Sequence, residues 1–446
     1  MKKLIIGFVS MAQPYNTDKE LAAKMYKLAK NKMSELINVE VVSPEGLIIS
    51  MEDAQAAVEL LKANPVDLLI VQNGTFSSGQ AFMHLVQNFS GFIVLWAMPE
   101  PPYNGPLKFN SLCGINLNAS LLSNMERQYK YFYASPENSE FWLDFAKWLK
   151  VFSFVKRLKE VRIGLFGSRT PGFYTFGLNE LSVRKIIGPE IYHIDLDELF
   201  REAGKVTQAE INEFFAEINR IVCNCQEIVQ EKSLKFAKTY EAFKKLIERY
   251  KLDAVAVKCW PEFITDYGLA VCSTMAKLVD DGIMAGCEGD ILGTITSLAQ
   301  YELSGKVPFI ADLVDVDFTA NTGTMWHCGC APYKLAHPEC PIKLGQEFGI
   351  GGLTAEFAMQ PGKVTIARLS HNLGKYRLLI TAGEAVDTVQ TPSGTAAIVR
   401  FDCNAKKLLD TIIYGGYEHH LGMVYADIKQ ELVILGQLLN LETVVL

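Results

Sequence analysis

The sequence predicts an α/β protein with two doubly wound parallel-sheet domains of the flavodoxin or Rossmann type, followed by a mainly antiparallel β domain. Up to about residue 305, short apolar runs without polar alternation are separated by helical segments, as in parallel strands covered on both faces. After the stretch "GKVPFIADLVDVD", strand-like segments follow one another with short turns. This change indicates antiparallel pairing, in a small barrel or a sandwich.

Domain boundaries follow from these patterns. We expect an N-terminal domain over residues 1–155, a second α/β domain carrying Glu288 over 156–305, and a β-rich domain carrying Asp312 and His420 over 306–446. In the first domain, strands are predicted at "KLIIGFVS", "NVEVVSP", "VDLLIVQNG" and "GFIVLWAMP". The segment "FAKWLKVFSFVKRLKEVR" predicts a long helix that connects it to the second.

The later elements are predicted in the same way. Strands are expected at "VRIGLFGSR", "EIYHIDL", "LDAVAVKCW" and "DGIMAGC", with one long helical stretch from about Thr207 to Tyr250. In the β-rich domain, "GKVTIARLSHN", "KYRLLITAGEAV", "TAAIVRFDC" and "KLLDTIIYGGYEHH" are predicted as strands. A last helix has an apolar face formed by Ile428, Leu432, Leu435 and Leu439.

Composition excludes several classes of protein. The 446 residues are 49% hydrophobic and 21% charged, with a net charge of −7 and both signs interspersed. Such a chain has no basic surface for nucleic acid, and no apolar run approaches the roughly 18–20 residues that a membrane helix needs. The start "MKKLIIGFVS" lacks a cleavage site and predicts a first strand, so we expect a cytoplasmic protein whose ten cysteines are mostly buried thiols.

Polar residues occur where the pattern predicts burial or the end of a strand. Ser10, Gln72, Asn73 and Glu100 lie at the carboxyl ends of first-domain strands, where ligands of parallel sheets bind.

Four more such residues lie in the second half of the chain: Glu288 after "IMAGC", Asp312 after "VPFIA", His327 in "TMWHCGC" and His420 closing "YGGYEHH". Carboxylates with imidazoles suit Mn²⁺, Fe²⁺, Co²⁺ or Zn²⁺, and an oxygen-rich set favours Mn²⁺ or Mg²⁺. A divalent cation, Mn²⁺ first, would also neutralise the buried charge of Glu288.

Simpler interpretations remain open for these residues. A carboxylate at a strand end is often a helix N-cap, and Asp290 suits that role before "ILGTITSLAQYE", where Asn would be tolerated. The segment "HCGC", with His337 and Cys340, loosely resembles a structural zinc site. The loop "GLFGSRTPGF" lacks the glycine spacing of a nucleotide loop, so a positioning turn with Arg169 available is at least as good a hypothesis.

Taken in order, these segments resemble the L-fucose isomerase and L-arabinose isomerase superfamily. "KCWPEF", "CEGD" and "PFIADLVDVD" resemble the part that supplies a metal-binding Glu and then a metal-binding Asp, which implies Glu288 and Asp312, 24 residues apart. "GGYEHHLGMVYAD" resembles the element whose second histidine is a ligand, which implies His420. "TMWHCGCAP" resembles an arabinose isomerase segment with a further histidine, here His327, that fucose isomerases lack. "QNGTFSSG" and "GINLNAS" resemble segments of the sugar site.

The resemblance implies a metal-dependent aldose–ketose isomerase that acts on a monosaccharide through a cis-enediol. Glu288 and Asp312 are then the proton-transferring pair. Assemblies of the family imply a homotrimer or homohexamer in which first-domain residues cover a neighbour's site. The sugar-contact residues implied are Gln72, Asn73, Trp96, Asn118, Arg169, Trp260, Trp326 and His419.

Two points stay open at the level of sequence. A non-catalytic cytosolic sugar-binding protein would also have two α/β domains around a cleft, and a metal-dependent aldolase or hydrolase would use the same ligands. The sugar itself is also open, because Arg169, Lys258 and Lys334 could each bind an anionic substituent.

Overall fold

The computed structural model describes residues 3–15, 17–102, 105–346, 351–389 and 392–446. The chain forms two compact units, Met1–Leu149 and Lys150–Leu446. No helix in these described ranges is long and apolar enough to cross a membrane.

The first unit is a five-stranded parallel sheet with the strand order β2-β1-β3-β4-β5. Its elements are β1 (Leu4–Met11), α1 (Lys19–Ser34), β2 (Val39–Val42), α2 (Met51–Ala63), β3 (Leu68–Asn73), α3 (Gly79–Gln87), β4 (Phe92–Ala97), α4 (Ser111–Asn124), β5 (Tyr129–Tyr133) and the start of α5 (Ser139–Leu158). β3 is buried throughout, as its uninterrupted apolar run predicts. The strand order is that of a doubly wound flavodoxin-like sheet, which confirms the predicted class.

The second unit begins with a four-stranded parallel sheet in the order β7-β6-β8-β9. The elements that build and cover it are β6 (Arg162–Phe166), α6 (Glu180–Ile186), β7 (Glu190–Ile194), α7 (Leu196–Ala203), α8 (Gln208–Ile218), α9 (Gln230–Tyr250), β8 (Ala254–Val257), α10 (Cys272–Asp280), β9 (Met284–Gly286) and α11 (Ile291–Ser304). The carboxyl ends of these strands lie at one edge, so the loops after β6, β8 and β9 are neighbours.

The rest of the second unit is a closed antiparallel barrel with added edge strands. Its elements are β10 (Phe309–Asp317), β11 (Thr322–His327), β12 (Lys343–Gly345), β13 (Thr354–Ala358), β14 (Gly362–Asn372), β15 (Lys375–Ala385), β16 (Thr395–Phe401), α12 (Ala405–Gly415), β17 (His420–Val424), α13 (Lys429–Leu438) and β18 (Glu442–Val445). The order β16-β11-β10-β17-β14-β15 closes because β15 also pairs with β16, and all of these pairs are antiparallel. The predicted antiparallel domain is therefore a barrel and not a sandwich.

Two predicted elements differ from the structure. The stretch from Thr207 to Tyr250 is two helices, because residues 219–229 leave the helix to pair with the segment around β12. There the Asn224 side chain donates to the Leu344 carbonyl at 3.1 Å and accepts the Leu344 amide at 2.9 Å. These contacts with a distant segment outweigh local helix propensity.

The segment "KLLDTIIYGGYEHH" is mostly the helix α12 and not a strand. Asn404 caps the first turn by accepting the Lys407 amide, and Gly416 ends the helix in a left-handed conformation. The buried residues Ala405, Leu408 and Ile412 have helical spacing, which the prediction overlooked. Only the histidine at the end of the segment belongs to a strand, as the first residue of β17.

Candidate functional site

The turn after β9 places Glu288 at the edge of the four-stranded sheet. Glu288 has φ 59° and ψ 15°, a left-handed conformation that non-glycine residues adopt infrequently. Gly289 follows with φ 75°, and a Cβ there would lie 2.6 Å from the Ser168 carbonyl oxygen. The Thr170 amide also donates to the Glu288 carbonyl at 3.3 Å. The loop after β6 thus packs directly on the Glu288 turn, and its backbone supports the strained conformation.

The barrel brings Asp312 and His420 to the same place. They face each other in the antiparallel pair of β10 and β17, so their side chains share one side of the sheet. His420 Nε2 lies 3.9 Å from Asp312 Oδ1 and 3.6 Å from Glu288 Oε2. Both His420 Nε2 and Asp312 Oδ1 are buried atoms without a hydrogen-bond partner among the described residues. Unpartnered buried polar atoms are rare, so these two mark a place for a ligand.

The protonation of His420 follows from its other nitrogen. Nδ1 lies 3.0 Å from Asp290 Oδ2. Burial lowers the pKa of His420, so the ring is neutral at neutral pH. Although burial opposes ionisation, the Arg368 guanidinium and the His420 ring hold the pKa of Asp290 well below its ordinary value. An ionised Asp290 can only accept, so Nδ1 carries the proton and Nε2 presents its lone pair to Glu288 and Asp312.

Asp290 is the N-cap of α11, as predicted, but it is more than a cap. Its Oδ1 accepts the Gly293 amide at 2.8 Å, while the side chain is buried and ion-paired with Arg368. The expectation that Asn would be tolerated here considered the cap alone, and these contacts revise it. Arg368 was not identified from the sequence. Its position within the apolar run "VTIARLS" of a predicted strand was nevertheless a sign of a buried charge that needs partners.

Glu288 also bonds to the neighbour of His420. His419 Nε2 lies 3.0 Å from Glu288 Oε2. Burial raises the pKa of Glu288, but the hydrogen bond from His419 and the electrostatic influence of the nearby histidine rings outweigh it and lower the pKa overall. Glu288, His419 and His420 offer ligand atoms that all lie within 4.8 Å of one another. His419 is 40% exposed, and its Nε2 is already engaged by Glu288.

His327 reaches the same cluster, but its geometry opposes a role as a metal ligand. The ring centroid lies 5.4 Å from that of His420. The Cys328 amide donates to His327 Nδ1 at 2.8 Å. While that bond exists, a neutral ring carries its proton on Nε2, and a charged ring has a proton there as well. The buried Nε2 has no partner among the described residues and is a hydrogen-bond donor, without a lone pair for a cation.

The donor set fits a divalent cation. Glu288, Asp312 and His420 provide two carboxylates and one imidazole nitrogen that converge without satisfying one another. Oxygen-rich sets with one imidazole suit Mn²⁺, and a divalent charge would offset two carboxylates that lie close together. The zinc alternative gains no support: His337 lies 2.9 Å from Asp387 Oδ1, and within the described ranges the one group of three with ligand atoms all within 4.8 Å of one another is Glu288, His419 and His420.

An aromatic wall borders the histidines, and sequence analysis missed most of it. Phe176 stacks on His420 with ring centroids 5.2 Å apart and contacts His419 at 5.0 Å. Phe173 contacts His419 at 5.5 Å and Trp260 at 5.8 Å. Trp260 therefore lies at the edge of this wall, with 36% of its surface exposed. Such apolar faces are typical of sugar-binding pockets, where they pack on C–H groups.

Trp326 and the cationic residues are placed as follows. Trp326 stacks near His327, with its Nε1 donating to the Ser393 carbonyl at 2.7 Å. Lys334 Nζ donates to the Asp280 carbonyl at 2.5 Å, and Lys258 is ion-paired with Glu262. Arg169, in the loop that supports Glu288, has no carboxylate partner among the described residues. Its guanidinium lies 5.0 Å from the ring centroid of Tyr174, which is mostly exposed.

Two of the predicted polar residues, Asn73 and Asn118, form a buried network in the first unit, whereas Gln72 lies apart from it with its Nε2 3.6 Å from Met98 Sδ. Asn73 Nδ2 donates to Ser77 Oγ, and Asn118 Nδ2 donates to Asn73 Oδ1, both at 3.0 Å. Gln72 and Asn118 are fully buried, and their side-chain carbonyl oxygens lack partners within the described part of the chain.

Trp96, in contrast, is a core residue. It is 1% exposed, its Nε1 donates to the Ala134 carbonyl at 2.9 Å, and Phe8, Phe141 and Trp142 pack around it. Its expected contact with a sugar does not fit these surroundings.

Comparison with known proteins identifies the relatives of the chain. Residues 8–159 match the family profile "Fucose/sulfoquinovose isomerase, N-terminal domain", and residues 337–446 match "L-fucose isomerase, C-terminal domain". The chain is 33% identical over 410 residues to the sulfoquinovose isomerase of Priestia megaterium, covering 90% of this chain and 91% of the relative. The sulfoquinovose isomerases of Alkalicoccus urumqiensis and Clostridium sp. are 29% and 27% identical, over 90% and 91% of this chain and 91% of each relative.

The tautomer assigned to His327 gives a prediction for cation binding. His327→Gln should bind Mn²⁺ within about threefold of the wild-type affinity, because no ligand atom is lost, whereas His420→Gln should weaken binding by well over tenfold. Calorimetric titration of the cation-free protein with Mn²⁺ measures both. Equal losses in the two variants would show that His327 Nε2 is a ligand after all.

Proposed function

We propose a substrate and a mechanism for this chain, which belongs to the fucose/sulfoquinovose isomerase family and is an aldose–ketose isomerase. We infer that it converts an anionic aldose, sulfoquinovose or a close analogue, into the corresponding 2-ketose with the help of a divalent cation, most suitably Mn²⁺. The names of the relatives support the sulfonated substrate. The observation that carries the proposal is the convergence of His420 Nε2, Asp312 Oδ1 and Glu288 Oε2, two of them buried and unpartnered.

The chemistry requires a proton to move between two adjacent carbons through a cis-enediol. When bound, the cation supplies positive charge next to the two sugar oxygens that gain negative charge. Glu288, Asp312 and His420 would hold it. The proton transfer at C1 and C2 falls to Glu288 and Asp312, because both are carboxylates beside the same imidazole nitrogen.

Side chains next to the three proposed ligands have further roles in this mechanism. The buried Nε2–H of His327 is available to donate to a sugar oxygen, which suits a group that becomes more negative in the transition state. His419 orients the Glu288 carboxylate through their 3.0 Å bond. Phe173, Phe176 and Trp260 provide the apolar wall for the carbon chain and exclude water from it.

Arg169 is the strongest candidate for binding the anionic substituent. Of the three cations considered, Lys334 and Lys258 are engaged by Asp280 and Glu262, and Arg169 has no acidic partner in the described ranges. Its backbone lies against the Glu288 turn, so its side chain starts at the edge of the site. A planar guanidinium also matches the geometry of a sulfonate, which offers several acceptor oxygens in a fork.

The names of the relatives favour isomerisation over the two alternatives. A sugar-binding protein would show affinity without turnover, and an aldolase or hydrolase would release two fragments from the substrate. An assay that follows ketose formation distinguishes all three. Turnover that survives exhaustive removal of divalent cations would contradict the proposed cation.

The carboxylate pair gives a prediction about turnover. Glu288→Gln and Asp312→Asn should each lower kcat by about 10²–10⁴-fold, the usual contribution of a positioned acid–base group. Asp315→Asn is the matched control, because Asp315 is an exposed residue on the same strand as Asp312. Steady-state isomerisation at saturating Mn²⁺, with a thermal melt of each variant, is the measurement. Near-normal turnover in Glu288→Gln would refute its role.

The anion-binding role gives a prediction about specificity. Arg169→Gln should lower kcat/KM for sulfoquinovose by about 10–100-fold, since charge-assisted hydrogen bonds contribute about 1.5–3 kcal/mol. The same variant should leave kcat/KM unchanged for 6-deoxyglucose, which is the same sugar without the sulfonate. Lys258→Gln is the control for loss of a nearby cation. A parallel drop for both sugars would mean that Arg169 supports the fold of the loop and does not bind the anion.

The expected oligomer gives a prediction that also concerns catalysis. We propose a homotrimer or homohexamer in which the first unit of a neighbour completes each site, and the unpartnered Gln72 and Asn118 oxygens support a ligand-binding role for that unit. Gln72→Leu and Glu288→Gln should each be inactive alone. When the two variants are co-expressed, activity should return, because about a quarter of the sites in randomly mixed closed assemblies combine an intact Glu288 with an intact Gln72 from the neighbour. Light scattering gives the assembly size. An active monomer, or a mixture that stays inactive, would contradict shared sites.

A further inference from the structure

A chain of buried charged groups leads away from the candidate cation site. His420 bonds to Asp290, Asp290 to Arg368, and Arg368 to Glu418. Each of the four side chains is at most 4% exposed. A fully buried arginine is costly unless its N–H groups are satisfied, so its presence needs a reason.

The guanidinium of Arg368 fixes the Asp290 carboxylate from one side. Nη1 contacts Asp290 Oδ2, and Nη2 donates to Oδ1 at 3.1 Å, which is a bidentate pair. Nε donates to Glu418 Oε2 at 3.2 Å, and the Phe176 ring lies 5.9 Å from the guanidinium carbon. Arg368 therefore cannot turn without breaking several contacts at once.

The Asp290 carboxylate in turn has a different environment at each oxygen. Oδ1 accepts from the Gly293 amide and from Arg368, so it belongs to the helix cap. Oδ2 faces Arg368 and His420 Nδ1, so it belongs to the site. Both oxygens must be acceptors for this arrangement to hold, and only a carboxylate satisfies that condition.

We propose that Asp290 and Arg368 are positioning residues of the isomerase: Arg368 holds the Asp290 carboxylate so that it accepts the hydrogen bond from His420 Nδ1–H, which leaves the Nε2 lone pair directed toward Glu288 and Asp312. This inference rests on the proposed function, because it gives His420 a cation to bind. It extends that function by two residues that are not among the proposed cation ligands. Carboxylates bonded to the far nitrogen of a ligand histidine tune both its orientation and its basicity.

Asp290→Asn separates this role from helix capping. The amide has one acceptor, and the two donors at the Oδ1 position will keep the carbonyl oxygen there. The NH₂ group then replaces Oδ2, loses the hydrogen bond from Arg368 Nη1 and points at His420 Nδ1. The ring must accept that bond and carry its proton on Nε2, which is the tautomer that cannot bind a cation. The cap on Gly293 is retained throughout.

The experiment measures Mn²⁺ affinity by calorimetry on cation-free protein, below the melting temperature of each variant. Asp290→Asn should weaken binding by about 10–100-fold, as expected for a lost outer partner of a ligand. Asp280→Asn is the matched control, because Asp280 is another buried aspartate of the second unit, accepts the Lys334 amide at 2.8 Å and contacts no proposed ligand. It should bind Mn²⁺ like the wild type.

A second variant covers the case in which Asp290→Asn does not fold. Arg368→Lys keeps the buried charge but has a single nitrogen, which cannot hold both Asp290 oxygens and Glu418, so Mn²⁺ affinity should again fall by at least about tenfold. Folded variants with wild-type affinity, or equal losses in Asp280→Asn, would overturn the inference while leaving the isomerase proposal intact. A wild-type protein that binds no divalent cation yet isomerises its sugar would overturn both.

Discussion

Charge balance around His420 is the constraint on which the candidate site depends. Within the described residues, four carboxylates lie around this imidazole. Glu288, Asp290 and Asp312 lie close to the ring itself, and Glu418 is connected to it through Arg368, which is the one guanidinium in the group. Like charges at this spacing in a dry interior are tolerated only with a partner. Arg368 serves the inner pair, Asp290 and Glu418. The outer pair, Glu288 and Asp312, has no guanidinium to balance its negative charge. A divalent cation is the simplest ligand that would balance it.

This division gives the two sides of the imidazole different tasks. The inner side is built entirely from protein groups and is closed to solvent, so it determines the tautomer before any ligand arrives. The outer side has buried, unsatisfied atoms whose partners must come from outside. A site prepared in this way loses little free energy to reorganisation when the transition state forms. The cost is a folded state that carries uncompensated charge until the ligand binds, a common trade between stability and function.

The sequence predicted the class of each sheet, because unbroken apolar runs and turn-linked strands have different local signatures. It failed where tertiary contacts decide the outcome. The break after α8 depends on Asn224 pairing with Leu344, which is 120 residues away in the chain. At the site, Glu288, Asp312 and His420 were recognisable as polar residues in apolar surroundings. The roles proposed for Asp290 and His327 were not, because each depends on which atom a neighbour contacts. The covered position of Trp96 depends on rings from two distant segments, β1 and α5.

The interval of 24 residues between the two carboxylates has a geometric explanation in the fold. From Asp290, the 14 residues of α11 carry the chain about 21 Å away from the site at 1.5 Å per residue. The eight residues from Gly305 to Asp312 return in a largely extended form, which spans up to about 26 Å. One helix outward and one strand back therefore end beside the starting point, and α11 packs between the parallel sheet and the barrel that the two carboxylates come from. Asp312 and His420 are already paired within the barrel, so a shorter or longer helix would move Glu288 out of reach of both. The 24-residue spacing therefore reflects the distance between the two sheets and not a local motif.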